Sequence, residues 1–273
     1  MKSGGQITVV IKYGGAAMQT PDLMRSTMQD IIHLKEQGMR PIVVHGGGPE
    51  ISQVCERLGI ASQFVDGLRV TDRETMQIVQ MVLMGKVNKE LVSSLNCGAK
   101  AVGISGQDGN LLVAGKYCHS SGMDLGFVGE LEAVNIALLE VLLEAGYIPV
   151  VAPLATSLDG EAYNINADRA ASGIAIALRA DHLIYLSDVE GILSDPKDVS
   201  SKVDKLERGE VALLIKEGKL HGGMLPKIEG MVAALGHGIK NVHFLDGRVL
   251  HSLVDHLMGL KKIGTALVPG GMS

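Results

Sequence analysis

One pattern recurs along the sequence and restricts the fold more than any other feature. A short run of β-branched and aliphatic residues is followed by a glycine turn and then by a stretch with helical spacing. Ile7-Thr8-Val9-Val10-Ile11 stops at Gly14-Gly15, and Pro41-Ile42-Val43-Val44 stops at Gly46-Gly47-Gly48. Residues 101–104, 147–151, 182–186 and 241–245 repeat the run. Uninterrupted Val, Ile and Leu, without alternating polar residues, is what strands buried on both faces require. Such strands alternating with helices predict an α/β chain with an open, largely parallel β-sheet sandwiched between helices. Ligands of such sheets sit beyond the carboxyl ends of the strands, where the glycine clusters fall.

The helices carry their own signals. Thr20 is an N-cap with Pro21 at the first helical position, and Gly38 closes that helix. A helix is expected at 51–58. Thr71-Asp72-Arg73-Glu74 matches a capping box and opens a long amphipathic helix that stops near Gly98. The turn-rich stretch 106–129 predicts hairpins, and 136–144, 168–178, 206–216 and 226–235 read as helices. The strand pattern restarts after 178, which places a lobe boundary near Ala180 and divides the chain into 1–179 and 180–273.

Composition excludes several classes. With 46% hydrophobic residues among 273 and a net charge of -5, the chain does not have the make-up of a disordered protein. The same mild acidity removes the electrostatic footprint of nucleic-acid binding, and 3% aromatics leaves no stacking platform for bases. Cys55, Cys97 and Cys118 are scattered without a C-x-x-C spacing, which reads as reduced thiols with neither a zinc site nor a disulfide scaffold. The start is polar and glycine-rich, residues 7–11 are too short for a signal core, and runs such as 174–178 are far below the roughly 18 residues of a membrane span. The expectation is a cytoplasmic protein without a membrane partner.

Two familiar nucleotide motifs are missing. Gly46-Gly47-Gly48-Pro49-Glu50-Ile51 lacks the third glycine of G-x-G-x-x-G, and the Gly-Lys pairs at 85–86, 115–116 and 218–219 are followed by Val, Tyr and Leu instead of Ser or Thr. Lysines set in glycine-rich backbone are a different way to hold phosphate. Lys12 ends the first strand beside Gly14-Gly15. Lys227 follows Gly222-Gly223-Met224-Leu225-Pro226 and falls in a first helical turn, where N–H groups attract anions. Each lysine also has a plain reading as a solvated charge. Asp168 is either an N-cap or a site carboxylate, and Asn164 either a turn former or a ligand contact. Arg69 is either a surface arginine or a carboxylate partner, and Asp188 either an Asx turn or a polar contact. His45 reads as a satisfied structural histidine, and the 13 methionines as helix packing.

Six segments taken in order resemble the amino acid kinase family: Val10-Ile11-Lys12-Tyr13-Gly14-Gly15, Val44-His45-Gly46-Gly47-Gly48, Gly67-Leu68-Arg69-Val70-Thr71, Asn164-Ile165-Asn166-Ala167-Asp168, Leu186-Ser187-Asp188-Val189-Glu190-Gly191 and Gly223-Met224-Leu225-Pro226-Lys227. They span nearly the whole chain, and the third and fourth favour members that act on N-acetyl-L-glutamate. The resemblance implies transfer of the γ-phosphoryl group of ATP, with Mg²⁺ on its phosphates, to the side-chain carboxylate of that small molecule, a step of arginine biosynthesis. It also implies that the N-terminal part binds the amino acid and the C-terminal part ATP. By motif position Lys12 and Lys227 clamp phosphates and Asp168 orients both lysines. Gly47 and Gly48 offer backbone N–H to substrate, Arg69 pairs with its α-carboxylate and Asn164 contacts it. Gly14, Gly15, Asp188, Val189, Glu190, Gly191, Ile192, Leu193, Lys219, Leu220 and His221 surround the nucleotide. A related acidic or carrier-linked substrate is the alternative, as is a silent nucleotide sensor, against which the intact lysine pair argues. Arginine-inhibited members carry a long helix ahead of the first strand. Here only eleven residues precede Lys12, so the expected assembly is an arginine-insensitive homodimer.

Overall fold

The computed structural model describes residues 6–195, 198, 201–219 and 224–270. Strand β1 (Thr8–Tyr13) passes through a 3-10 turn (Gly15–Met18) into helix α1 (Pro21–Glu36), which Thr20 caps by accepting from the Leu23 N–H at 3.3 Å. β2 (Arg40–His45) leads almost directly into α2 (Gly48–Arg57), which starts three residues earlier than expected because Gly47 is its cap and Pro49 suits its first turn. The hairpin of β3 (Phe64–Val65) and β4 (Leu68–Arg69) turns on Asp66-Gly67, both at positive φ, the backbone of a type I′ turn.

The capping box expected at Thr71 is displaced by one residue. Asp72 caps α3 (Arg73–Gln80), accepting from the Thr75 N–H at 2.7 Å, while the Thr71 hydroxyl donates to the Arg69 carbonyl. The predicted long helix is real but passes through a π-helical turn, Met81–Val87, before α4 (Asn88–Leu95). Then follow β5 (Ala101–Ser105), β6 (Leu112–Lys116), β7 (Gly129–Val134), α5 (Ala137–Glu144), β8 (Ile148–Ala152), β9 (Leu154–Thr156) and β10 (Ala162–Asn164). The last third comprises α6 (Ala167–Leu178), β11 (His182–Ser187), β12 (Ile192–Leu193), β13 (Lys202–Val203), β14 (Lys205–Glu207), α7 (Arg208–Lys216), α8 (Met224–Gly236), β15 (Asn241–Asp246), α9 (Ser252–Leu257) and β16 (Thr265–Val268). Residues 206–207, expected to be helical, are strand instead, because Leu206 pairs with Leu267 at the sheet edge.

The main sheet runs β14-β16-β15-β11-β1-β2-β8-β5, parallel throughout except where β16 meets β15. Its order divides by sequence: four strands from the first 179 residues lie on one side of the β1/β11 seam and four later strands on the other. Along β1, Val9 and Ile11 face one apolar core while Val10 faces the other, which is why the strand sequence does not alternate with polar residues. A smaller sheet, β10-β9-β6-β7, carries the predicted hairpin.

Two polar devices tie elements together. Asp30 on α1 accepts from the Leu253 and Val254 N–H groups at 3.1 and 3.4 Å and pairs with His251 at 2.7 Å, capping α9 from another helix. His182 on β11, His243 on β15 and His256 on α9 form a chain with nitrogen separations of 2.8 Å at each step. Among the described residues no helix is long and apolar enough to cross a membrane.

Candidate active site

The carboxyl ends of β1, β2 and β11 lie side by side, Lys12 beside Val44 and Tyr185 in register. The turns that leave these strands therefore meet at one edge. Gly14 approaches Gly46, with Lys12 Nζ alongside. Lys12 Nζ lies 3.1 Å from Asp168 Oδ1, both partly buried. Asp168 is free to do this because the helix cap is Asn166, whose Oδ1 accepts from the Asp168 and Arg169 N–H groups at 2.8 and 3.2 Å. Of the two readings of Asp168, the N-cap is thereby excluded, and its carboxylate is paired with Lys12.

Lys227 lies in the first turn of α8, as expected, but its partner is Asp188, at 4.0 Å, and not Asp168. Burial pulls the Asp188 carboxyl upward, yet its own N–H, Lys227 and Arg248 outweigh that and hold it below the usual range. Of the residues expected near nucleotide, Gly14 and Gly15 follow β1, and Asp188, Val189, Glu190 and Gly191 follow β11. Ile192 and Leu193 form β12. Ile192 is fully buried with its N–H taken by Thr265 Oγ1, so it anchors the loop. Lys219 is exposed and paired with Glu217 at 2.9 Å. Leu220 and His221 lie outside the described residues.

Beside this edge is a cleft of about 210 Å³ that gathers Gly47, Gly48, Arg69 and Asn164, all four expected to face substrate. Gly47 has no room for a side chain: a Cβ there would stand 2.6 Å from Leu83 Cδ2. The first N–H groups of α2 have no partner within the helix and are available to an anion. Arg69 is 6% exposed. It donates to Ser62 Oγ at 2.6 Å and to the Gly48 carbonyl and Ser52 Oγ at 2.8 Å, with its guanidinium 4.6 Å from the centre of the Phe64 ring. Burial lowers its pKa, but an arginine stays charged. Among the described residues no carboxylate pairs with it, so the site holds a buried, unmatched cation.

The substrate-facing residues are also bonded to one another. Asn164 Nδ2 donates to Thr71 Oγ1 at 3.3 Å, and Thr71 Oγ1 donates to the Arg69 carbonyl at 2.7 Å. Sequence reasoning treated Thr71 as a helix cap and did not weigh Phe64. The Asp66-Gly67 turn signal was the clue that Phe64 belongs to a hairpin over the cleft, with Thr71 just past its second strand. His45 is fully buried, its pKa pushed down to about 4 by burial, as befits a structural histidine that stays neutral.

Comparison with known proteins agrees with this geometry. The sequence profile of the amino acid kinase family matches residues 8–246. An acetylglutamate kinase of Moorella thermoacetica is 48% identical over 271 residues, covering 96% of this chain and 92% of that protein. Another from Symbiobacterium thermophilum is 50% identical over 267 residues, covering 96% and 91%. Among solved structures, N-acetylglutamate synthase from Neisseria gonorrhoeae, complexed with coenzyme A and N-acetyl-glutamate, superposes with a TM-score of 0.84 at 26% identity. That match covers 97% of this chain and spans 60% of the synthase. Carbamate kinase from Giardia lamblia, bound to AMP-PNP, matches 97% of this chain and 99% of its own with a TM-score of 0.72, and at 16% identity it shows the fold alone. With a family profile running from the first strand to the end of β15 and relatives at about half identity along nearly the whole length, the chain belongs to the amino acid kinase family.

Proposed function

We infer that the protein transfers the γ-phosphoryl group of ATP to the side-chain carboxylate of N-acetyl-L-glutamate. The observation that carries this reading is the charge of the cleft. Arg69 is its buried cation, and none of the described residues lining it is acidic. An α-carboxylate would take the Arg69 N–H groups that Ser62, Ser52 and the Gly48 carbonyl leave over, in charge-assisted hydrogen bonds. The ammonium of free glutamate would stand near Arg69 with no partner, at a large desolvation cost. Acetylation turns it into a neutral amide, and Leu68, Val128 and Ile165 offer the methyl group an apolar wall.

The chemistry asks for little besides placement. A side-chain carboxylate has an ordinary pKa of about 4.3, so it is ionised at neutral pH and needs no general base. Its oxygen attacks the γ-phosphorus, the bond to the β-phosphate oxygen breaks, and ADP leaves with that electron pair. The barrier lies in bringing two anions together and in charge growing on the transferring oxygens. Lys12, steadied by Asp168, Lys227 on the opposite side, and the Gly47 and Gly48 N–H groups supply that compensation. Mg²⁺ carried on the phosphate oxygens of ATP would, when bound, supply further charge neutralisation. The two carboxylates at this edge already face lysines at 3.1 and 4.0 Å, so the phosphate oxygens themselves are the fitting ligands.

The same reading assigns 1–179 to the amino acid and 180–273 to ATP, in line with the division of the sheet at the β1/β11 seam. It includes a cytoplasmic homodimer, for which light scattering is the test. The deciding experiment is an ADP-release assay with ATP and Mg²⁺, comparing N-acetyl-L-glutamate with glutamate and aspartate. Turnover is expected with the acetylated substrate alone; turnover with glutamate or aspartate instead overturns the substrate assignment.

A further inference from the structure

His45 ends β2 directly behind the 46–48 turn, and the chemistry above gives it no task. Its surroundings are nonetheless fully specified. Asn88, the first residue of α4 and also fully buried, donates from Nδ2 to His45 Nε2 at 3.2 Å and to the Val150 carbonyl at 2.9 Å, with the Ile104 carbonyl at 3.4 Å. These acceptors come from β2, β8 and β5, three neighbouring strands. Two backbone carbonyls decide which end of the Asn88 amide is the NH₂. The NH₂ decides the imidazole tautomer: Nε2 accepts, so the proton sits on Nδ1. Nδ1–H then donates to the Gly46 carbonyl at 2.8 Å.

A trans peptide is planar, with its C=O and N–H pointing in opposite directions, and the chain contains no cis bond among the described residues. A Gly46 carbonyl drawn inward to His45 therefore turns the Gly47 N–H outward, toward the cleft that both glycines line. We propose that His45, its tautomer set by Asn88, is a positioning residue that aims the Gly47 N–H at the oxygens of the transferring phosphoryl group. The proposal rests on the kinase reading above. The need for such a lock is physical. Backbone between two glycines rotates easily, and a flipped peptide would present a carbonyl oxygen to an incoming anion.

The neighbouring sequence is built around the lock. A Cβ on Gly103 would fall 1.7 Å from Asn88 Oδ1, so β5 leaves space for the asparagine. The π-helical turn preceding Asn88 supplies Leu83 and Val87, the side chains that close on Gly47. One segment thus provides both the packing against the turn and the amide that sets the histidine.

The test is steady-state kinetics on His45→Leu, His45→Asn and Asn88→Leu, with thermal unfolding of each. His45→Leu is expected to lower kcat by on the order of 10- to 100-fold, short of the roughly 10² to 10³ lost when an oxyanion donor is deleted outright. The KM values for ATP and N-acetyl-L-glutamate should stay within about threefold, since the interaction belongs to the transition state. His45→Asn, whose Nδ2 can stand where Nδ1 stood, should recover most of the loss, and Asn88→Leu should resemble His45→Leu. Wild-type kcat in folded His45→Leu, or a loss that His45→Asn does not recover, overturns the proposal. If His45→Leu does not fold, ¹⁵N NMR of the wild-type imidazole decides: a neutral Nδ1–H tautomer supports the lock, and an Nε2–H tautomer overturns it. A wild-type chain inert toward N-acetyl-L-glutamate would defeat the preceding function, while the tautomer would still judge His45 separately.

Discussion

Lys12, Lys227 and Arg69 are three cations with three different settings, and their substitution should separate accordingly. Lys12→Ala and Lys227→Ala are each expected to lower kcat by on the order of 10² while the fold survives, because each removes charge that matters most as the phosphoryl group transfers. Near-wild-type turnover in either variant takes that lysine out of the mechanism. Arg69→Ala should instead raise the KM for N-acetyl-L-glutamate by about 10-fold or more, the worth of a charged hydrogen-bond pair, with kcat less affected. An unchanged KM in initial-rate measurements contradicts the pairing. At this scale the sequence was most informative where a residue type has few uses, as with a lysine ending an apolar strand; for Arg69 the residues alone left a surface charge and a carboxylate partner both open. It was least informative for Asp168. Asp and Asn both cap helices, and only the structure shows that Asn166 holds the cap and leaves the aspartate for Lys12.

Elements are held by caps as much as by cores. Asn166→Ala should cost about 1 kcal/mol of stability by releasing two N–H groups of α6, and because α6 carries Asp168, it should also reduce activity. Asp30→Ala removes a cap that reaches α9 from across the fold, and a loss of about 1 to 2 kcal/mol is expected. Urea unfolding measures both; a midpoint within error of wild type would show that α9 is held by packing alone. The Thr20 cap and the strand cores were readable because their signals are local. The Asp30 cap was not, since its partners lie more than two hundred residues away. The one-residue error at Thr71 has a similar origin: its hydroxyl donates to the nearby Arg69 carbonyl and accepts from the distant Asn164, a tertiary demand that spacing does not reveal. Strands β9 and β10, three residues each, exist only as partners to other strands.

For the whole molecule the sheet and its covering helices follow from alternating patterns, but strand order does not. Nothing local tells β16 to run antiparallel to β15 or β14 to take the edge. Nor does the pattern reveal that His182, His243 and His256 meet. Burial lowers the pKa of all three from the ordinary 6.5, so the folded protein refuses protons that the unfolded chain accepts. The sign follows: stability is full above about pH 6.5 and falls as pH drops through that value. Thermal midpoints recorded from pH 7.5 to 5 should decline, and replacing His243 by Gln should flatten the decline. A pH-independent midpoint over that range would mean the chain opens without taking up protons.

The seam between β1 and β11 has a last consequence. Lys12 and Asp168 belong to one half of the polypeptide, Lys227 and Asp188 to the other, and the two halves abut through a ladder of backbone hydrogen bonds. Lys12 stands on β1 and Asp188 directly follows β11, so the two pairs start from neighbouring strands about 4.8 Å apart. Severing the chain between 179 and 180 would produce two fragments, each holding half of the electrostatic machinery, whose catalytic power could return only by re-zippering that ladder.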